Sequence, residues 1–102
     1  MTNKKNIWVN GCFDVLHPGH IKLLQYAKSL GDYLIVGIDS DSRVKSLKGN
    51  SRPFNKENDR KMMLMSLGCV DKVFIYNSAY ELETLVQENN INTIVVGSDY
   101  KN

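Results

Sequence analysis

Apolar residues along this chain fall into two alternating patterns, and their order predicts the architecture. Short runs at Ile7 to Asn10, Tyr33 to Ile38, Val73 to Tyr76 and Thr93 to Val96 are nearly continuous, as in parallel strands covered on both faces. Between them apolar residues recur at helical spacing. Ile21, Leu23, Leu24, Ala27 and Leu30 form a stripe that stops at Gly31, read as a C-terminal cap. Asp41 to Leu47 predicts a short helix. Glu57 to Leu67, with Met62, Met63 and Met65, predicts another, ended by Gly68. Leu82, Leu85 and Val86 mark a fourth, ending near Asn89-Asn90. The order β-α-β-α-α-β-α-β predicts an α/β, Rossmann-like parallel sheet with helices on both faces and right-handed crossovers.

In such sheets ligands sit beyond the carboxyl ends of the strands. That rule puts four segments on one rim: residues 10–20, 39–41, 77–78 and 97–99.

A length of 102 residues with 42% hydrophobic content and no repeat or linker predicts one domain spanning residues 1–102. The first apolar stretch, Ile7-Trp8-Val9, is broken by Asn10-Gly11, too early for a signal sequence or membrane span. Cys12 and Cys69 make no disulfide framework. The expectation is a soluble, cytoplasmic protein with reduced thiols and no membrane partner. A net charge of +2 gives no reason to expect a nucleic-acid partner. The distribution says more: Arg43, Lys45, Lys48, Arg52, Lys56, Arg60 and Lys61 crowd one stretch that holds only Glu57 and Asp59 as acids. A small anionic ligand fits there.

After the first strand the chain reads Gly11-Cys12-Phe13-Asp14-Val15-Leu16-His17-Pro18-Gly19-His20. Pro18 suits a first helical turn, and Gly19 lets backbone approach a ligand. Free amides of that turn, the helix dipole and two imidazoles would favour a phosphate. Two other readings stay open for these residues: a purely structural histidine pair, and a metal site, although the spacing of Cys12, His17 and His20 matches no common zinc pattern. For Asp14, Asp41 and Asp99 turn chemistry competes with ligand contact. For the weaker basic candidates a solvated charge run competes with phosphate binding.

The stretches N-G-C-F-D-V-L-H-P-G-H, L-G-D-Y-L-I-V-G-I-D-S-D, V-K-S-L-K-G-N-S-R-P-F-N with D-R-K, V-D-K-V and V-V-G-S-D-Y-K together resemble the cytidylyltransferase superfamily with its H-x-G-H signature. Within it they are most similar to the heptose-1-phosphate adenylyltransferase domain of ADP-heptose synthesis. Glycerol-3-phosphate cytidylyltransferase is the alternative, and its usual lysine near the position of Asn77 is absent here.

The resemblance implies a nucleotidyltransferase that moves a nucleoside monophosphate from a triphosphate to a sugar phosphate, with Mg²⁺ as cofactor. It implies catalytic roles for His17, His20, Lys48 and Arg60. Gly11, Cys12, Phe13, Gly19, Gly97 and Asp99 join the histidines as nucleotide-binding positions, and Asp14, Asp41, Lys45 and Arg52 are substrate-binding candidates. Members of the superfamily continue past the fourth strand into another strand and a helix with a Ser-Thr-Thr motif. Neither is in this sequence, so the resemblance implies a sheet lacking that last strand and helix, and a homodimer that covers the exposed edge. A nucleotide-binding module without catalysis is the alternative of another class.

Overall fold

A computed structural model describes residues 4–96. Four parallel strands, β1 (Asn6–Gly11), β2 (Tyr33–Asp39), β3 (Lys72–Tyr76) and β4 (Thr93–Ile94), form one sheet in the order β3-β2-β1-β4. The helices are α1 (Pro18–Ser29), α2 (Asp41–Lys48), α3 (Glu57–Met65) and α4 (Ala79–Glu88). The Rossmann-like α/β architecture expected from the hydrophobic pattern is present. β1 pairs with β2 from Asn6↔Tyr33 to Gly11↔Ile38, and β2 with β3 from Ile35↔Lys72 to Asp39↔Tyr76.

The chain runs outward from β1 through β2 to β3, and α4 then carries it back to the far side of β1. Right-handed crossovers turn that reversal of direction into a change of face. α1 and α3 therefore cover one face and α4 the other. On the first face Ile7, Val9, Leu34, Val36, Ile38 and Val73 meet Leu24 and Ala27 of α1 and Leu64 of α3 in one buried core. On the second, Trp8 and Ile94 share a cavity with Leu82 and Val86 of α4. The reversal also places a topological switch point beside β1, where open α/β sheets bind ligands.

The second face depends on one glycine. A Cβ on Gly37 would lie 2.4 Å from Cζ2 of Trp8 and 3.1 Å from Cε2 of Tyr76. The bare backbone at mid-β2 is what lets two buried aromatics from β1 and β3 close over the sheet.

Element boundaries differ from the sequence expectation in three places. The last residue of α1 is Ser29, with Leu30 as its cap. Gly31 follows without a left-handed backbone: a Cβ there would sit 2.8 Å from the Lys5 carbonyl, so close approach to β1 demands the glycine. α3 stops at Met65, because Ser66 turns the chain with bonds back to Met62 and Met63. β4 is assigned only two residues, although the Val95 amide still donates to the Trp8 carbonyl. No helix among the described residues is long and apolar enough to cross a membrane.

Candidate active site

The exit from β1 is strained and then capped. Phe13 is buried with φ of 51°, a left-handed conformation that a bulky side chain adopts only where its surroundings impose it. The imidazole of His20 meets it edge-on, with ring centroids 5.2 Å apart. α1 then begins at Pro18 with His17 as N-cap. The Gly19 amide donates to Nδ1 of His17 at 3.0 Å, and the His17 amide donates to Nδ1 of His20 at 3.3 Å. The two rings stack with centroids 3.8 Å apart.

This reciprocal cap corrects the expectation of free amides at the helix start. Pro18 has none, Gly19 is bound by the His17 ring, and the amides of His20 and Ile21 bond to the His17 carbonyl. Gly19 therefore offers no free amide to a nucleotide. Donor capacity lies in the imidazoles instead. With Nδ1 accepting in both rings, each neutral imidazole carries its proton on Nε2.

The neighbouring segments correct the catalytic role expected of Arg60, and for Asp14 and Asp41 they favour loop bracing, one of the two readings left open. Arg60 has no solvent exposure at all. Its guanidinium donates to the carbonyls of Asn55, Cys12 and Asp39 and to Oδ1 of Asp41, at 2.7 to 3.0 Å. It ties together the ends of β1 and β2, the start of α2 and the loop before α3, and contact with a phosphate is not open to it here. Asp41 is the partner of that bracket, and its own amide donates to Glu57. Asp14 is 7% exposed, with Oδ2 accepting from the Phe54 amide and Oδ1 from the Asn55 amide. Arg52 approaches the same carboxylate at 3.8 Å. Asp14 and Asp41 are thus engaged as loop braces before any substrate arrives.

Between these braces lies an open cleft of about 500 Å³ at the carboxyl ends of β1 and β2. Gly11, Cys12, Phe13, Asp14 and Val15 line it, together with His20 of α1, Lys48 at the end of α2 and Arg52 of the loop that follows. His17 is not among the lining residues; it stacks on His20, which is. Lys45 is exposed on α2 and is not among the lining residues. The basic segment enters through Gly49, whose φ of 102° ends α2 and requires glycine, and is pinned at its far end by Asp14. Arg52 lies over the Phe54 ring at 4.3 Å. Burial pushes the Cys12 thiol up, against the pull of Lys48 and Arg60, so it stays protonated rather than nucleophilic. Gly97 and Asp99 lie outside the described residues.

Sequence reasoning set Asn10 and Asp39 on the rim but gave neither a role. Asn10 and Asp39 both line the cleft. Asn10 accepts from the indole of Trp8 at 3.0 Å and donates to the Tyr76 hydroxyl at 3.4 Å, while Asp39 accepts from Nε of Arg43 at 2.9 Å. Burial, reinforced by the Asp39 charge, pushes the Tyr76 phenol well above its ordinary value. The available signal was strand alternation: Asn10 and Asp39 share the face of Trp8 and Gly37, Asp39 as the last residue of β2 and Asn10 as the last but one of β1. Among the described residues no three His, Cys, Asp or Glu side chains gather as a metal site.

Comparison with known proteins bears on this arrangement. A family model described as cytidylyltransferase-like matches residues 8–102. The bifunctional protein HldE of a Nitratiruptor species is 50% identical over 100 residues, which cover 96% of this chain and 21% of that protein. HldE of Aliarcobacter butzleri is 48% identical over 100 residues, covering 96% and 20%. HldE of Helicobacter pylori is 46% identical over 102 residues, covering 100% and 22%. The chain thus spans about a fifth of the length of these relatives. A crystal structure of the lipopolysaccharide core biosynthesis protein from Thermoplasma volcanium superposes with a TM-score of 0.80 at 32% identity, covering 95% of this chain and 77% of that one.

Proposed function

The chain belongs to the cytidylyltransferase-like family, and from that premise we propose that it transfers a nucleoside monophosphate from a nucleoside triphosphate to a sugar phosphate, releasing pyrophosphate. The observation that carries this reading is the cleft at the β1–β2 rim, whose lining brings His20, Lys48 and Arg52 together. The relatives' names, HldE and a lipopolysaccharide core biosynthesis protein, favour heptose 1-phosphate over glycerol 3-phosphate as acceptor.

An oxygen of the acceptor's phosphate forms a bond to the α-phosphorus as the bond from that phosphorus to the β-phosphate's bridging oxygen breaks. The electron pair leaves with pyrophosphate. A phosphate monoester has a second pKa of about 6, so the nucleophile is already ionised near neutral pH and needs no general base. A protonated Cys12 and carboxylates committed to loops agree with that.

What remains is to align two polyanions and to stabilise charge on the transferring group. The Nε2–H groups of the stacked histidines act as donors to phosphate oxygens, with Lys48 and Arg52 supplying positive charge. Mg²⁺ would accompany the triphosphate and supply further positive charge to the transferring group, with no carboxylate cluster among the described residues to hold it. Asp14 gives both carboxylate oxygens to backbone amides and is not offered to it.

The test is pyrophosphate release from Mg²⁺, each nucleoside triphosphate and a panel of sugar phosphates including heptose 1-phosphate and glycerol 3-phosphate. Release with a heptose phosphate and ATP supports the reading. Nucleotide binding without release from any pair overturns it in favour of a binding module.

A further inference from the structure

The strand-end residues Asn10 and Asp39 present a donor and an acceptor side by side on the cleft floor, fixed from behind by packed aromatics. Asn10 has a defined orientation because its Oδ1 accepts from the buried Trp8 indole. Its amino group therefore points its two N–H bonds elsewhere: one goes to the Tyr76 hydroxyl, and the second is left for a ligand. Tyr76 is paired with Asp39 in the sheet register, so the two side chains share one face at the strand ends. Arg43 holds Oδ1 of the Asp39 carboxylate. The Asp39 side chain keeps 13% of its surface exposed, and a carboxylate has about four acceptor sites, so acceptor capacity remains beyond Arg43.

A carboxylate repels phosphate and takes hydroxyl protons. The cations that suit phosphate, Lys48 and Arg52, come from α2 and the loop after it, and the histidines from α1. The floor thus differs in chemistry from the walls. We propose that Asp39 and Asn10 form a hydroxyl-reading site that takes a vicinal diol of a sugar and so sets which sugar the cleft accepts. This rests on the nucleotidyl-transfer reading above and deepens it. The diol belongs either to the acceptor sugar or to the ribose of the nucleotide, and the shared chemistry is the same.

The experiment compares each hydroxylated substrate with its monodeoxy analogues, in one arm the accepted sugar phosphate and in the other the nucleoside triphosphate against its 2′- and 3′-deoxy forms. In the wild-type protein, losing the hydroxyl that meets Asp39 lowers kcat/KM by roughly 10- to 100-fold in one arm, the effect of a hydrogen bond to a charged group. Asp39→Ala brings that ratio to about 1. Asp39→Asn keeps the shape, guards against an Ala variant that fails to fold, and lowers the ratio by about tenfold, the share carried by the charge. A merely structural role would depress both substrates equally and leave the ratio intact, so an unchanged ratio in both arms overturns the proposal. If the wild-type protein releases no pyrophosphate with any pair, the transfer reading falls separately. Calorimetric affinities for the same pairs then decide on Asp39, a preference for the hydroxylated form that is lost in Asp39→Ala supporting it and no preference overturning it.

Discussion

His17 caps α1 through Nδ1, and in the transfer reading its Nε2–H is the phosphate donor, so one ring has two tasks. Replacing it with alanine removes both, which would cost about 1 kcal/mol of helix capping along with any chemistry. Asn separates them, since an asparagine side chain caps a helix well and brings no imidazole. His17→Asn should keep the unfolding midpoint near wild type while turnover falls about a hundredfold, the scale of one lost transition-state donor. Turnover within a few-fold of wild type would remove His17 from the mechanism. Arg60 makes the opposite case. Arg60→Ala leaves the carbonyls of Cys12, Asp39 and Asn55 and the Asp41 carboxylate without their donor, in surroundings where Arg60 itself is fully buried. The expected loss is about 3 kcal/mol of stability in urea unfolding. A phosphate ligand would instead lose turnover at constant stability. Its sequence surroundings, a basic run, made Arg60 look like its exposed neighbours; only the packing of three loop carbonyls around it distinguishes it, and no periodicity reports that.

At the scale of elements, the strands and helices were readable because each obeys one dominant rule: continuous apolar runs for strands buried on both faces, and i, i+3, i+4 stripes for helices lying on them. Boundaries were less readable where tertiary contact overrides local signals, as at Gly31, which serves the approach of Lys5 rather than a left-handed turn. The clamp itself was half legible. The two histidines stood out by spacing, but the Nδ1 cap that uses up the first-turn amide depends on ring orientation. Gly37 was legible only as part of an apolar run. Gly37→Ala would drive a methyl into Trp8 and should destabilise by at least about 2 kcal/mol, seen as a lower urea midpoint at unchanged slope. Asp71 joins three elements, accepting from Lys28 of α1 and the Leu34 amide of β2 just ahead of β3. Partial burial pushes its carboxyl up, but the bonds from Lys28 and Leu34 and the charges of Lys28 and Lys4 together hold it below its ordinary value. A depressed carboxylate stabilises the fold above its unfolded pKa of about 4 and loses that contribution as pH falls through the lower folded value. Asp71→Asn should therefore be less stable than wild type at pH 7, with the gap closing below about pH 4. A gap independent of pH in urea titrations would count against this linkage.

For the whole molecule, the cleft lies where separate parts of the chain converge without direct covalent support: the β1 exit loop, the start of α1, the end of β2 and the basic loop after α2. Asp14 and Arg60 fasten the far end of that loop, whereas Lys48, Gly49 and Asn50 are exposed. A triphosphate bound in the cleft between His20 and Lys48 would bridge α1 and α2, and a ligand that binds only the folded state stabilises it by mass action. At a hundredfold excess over Kd the gain is about 2.7 kcal/mol, which for a domain of this size raises Tm by about 10 °C or more. The rise should appear with Mg²⁺ and the preferred nucleoside triphosphate and shrink with added salt, because the exposed Lys48 is screened. Lys48→Gln removes a charge from the open side of the cleft without touching the core or the Asp14 and Arg60 braces. Its ligand-free Tm should match wild type, while the nucleotide concentration needed for the same shift rises about tenfold. If Lys48→Gln instead needs no more nucleotide than wild type, the basic side of the cleft is a solvated charge run after all.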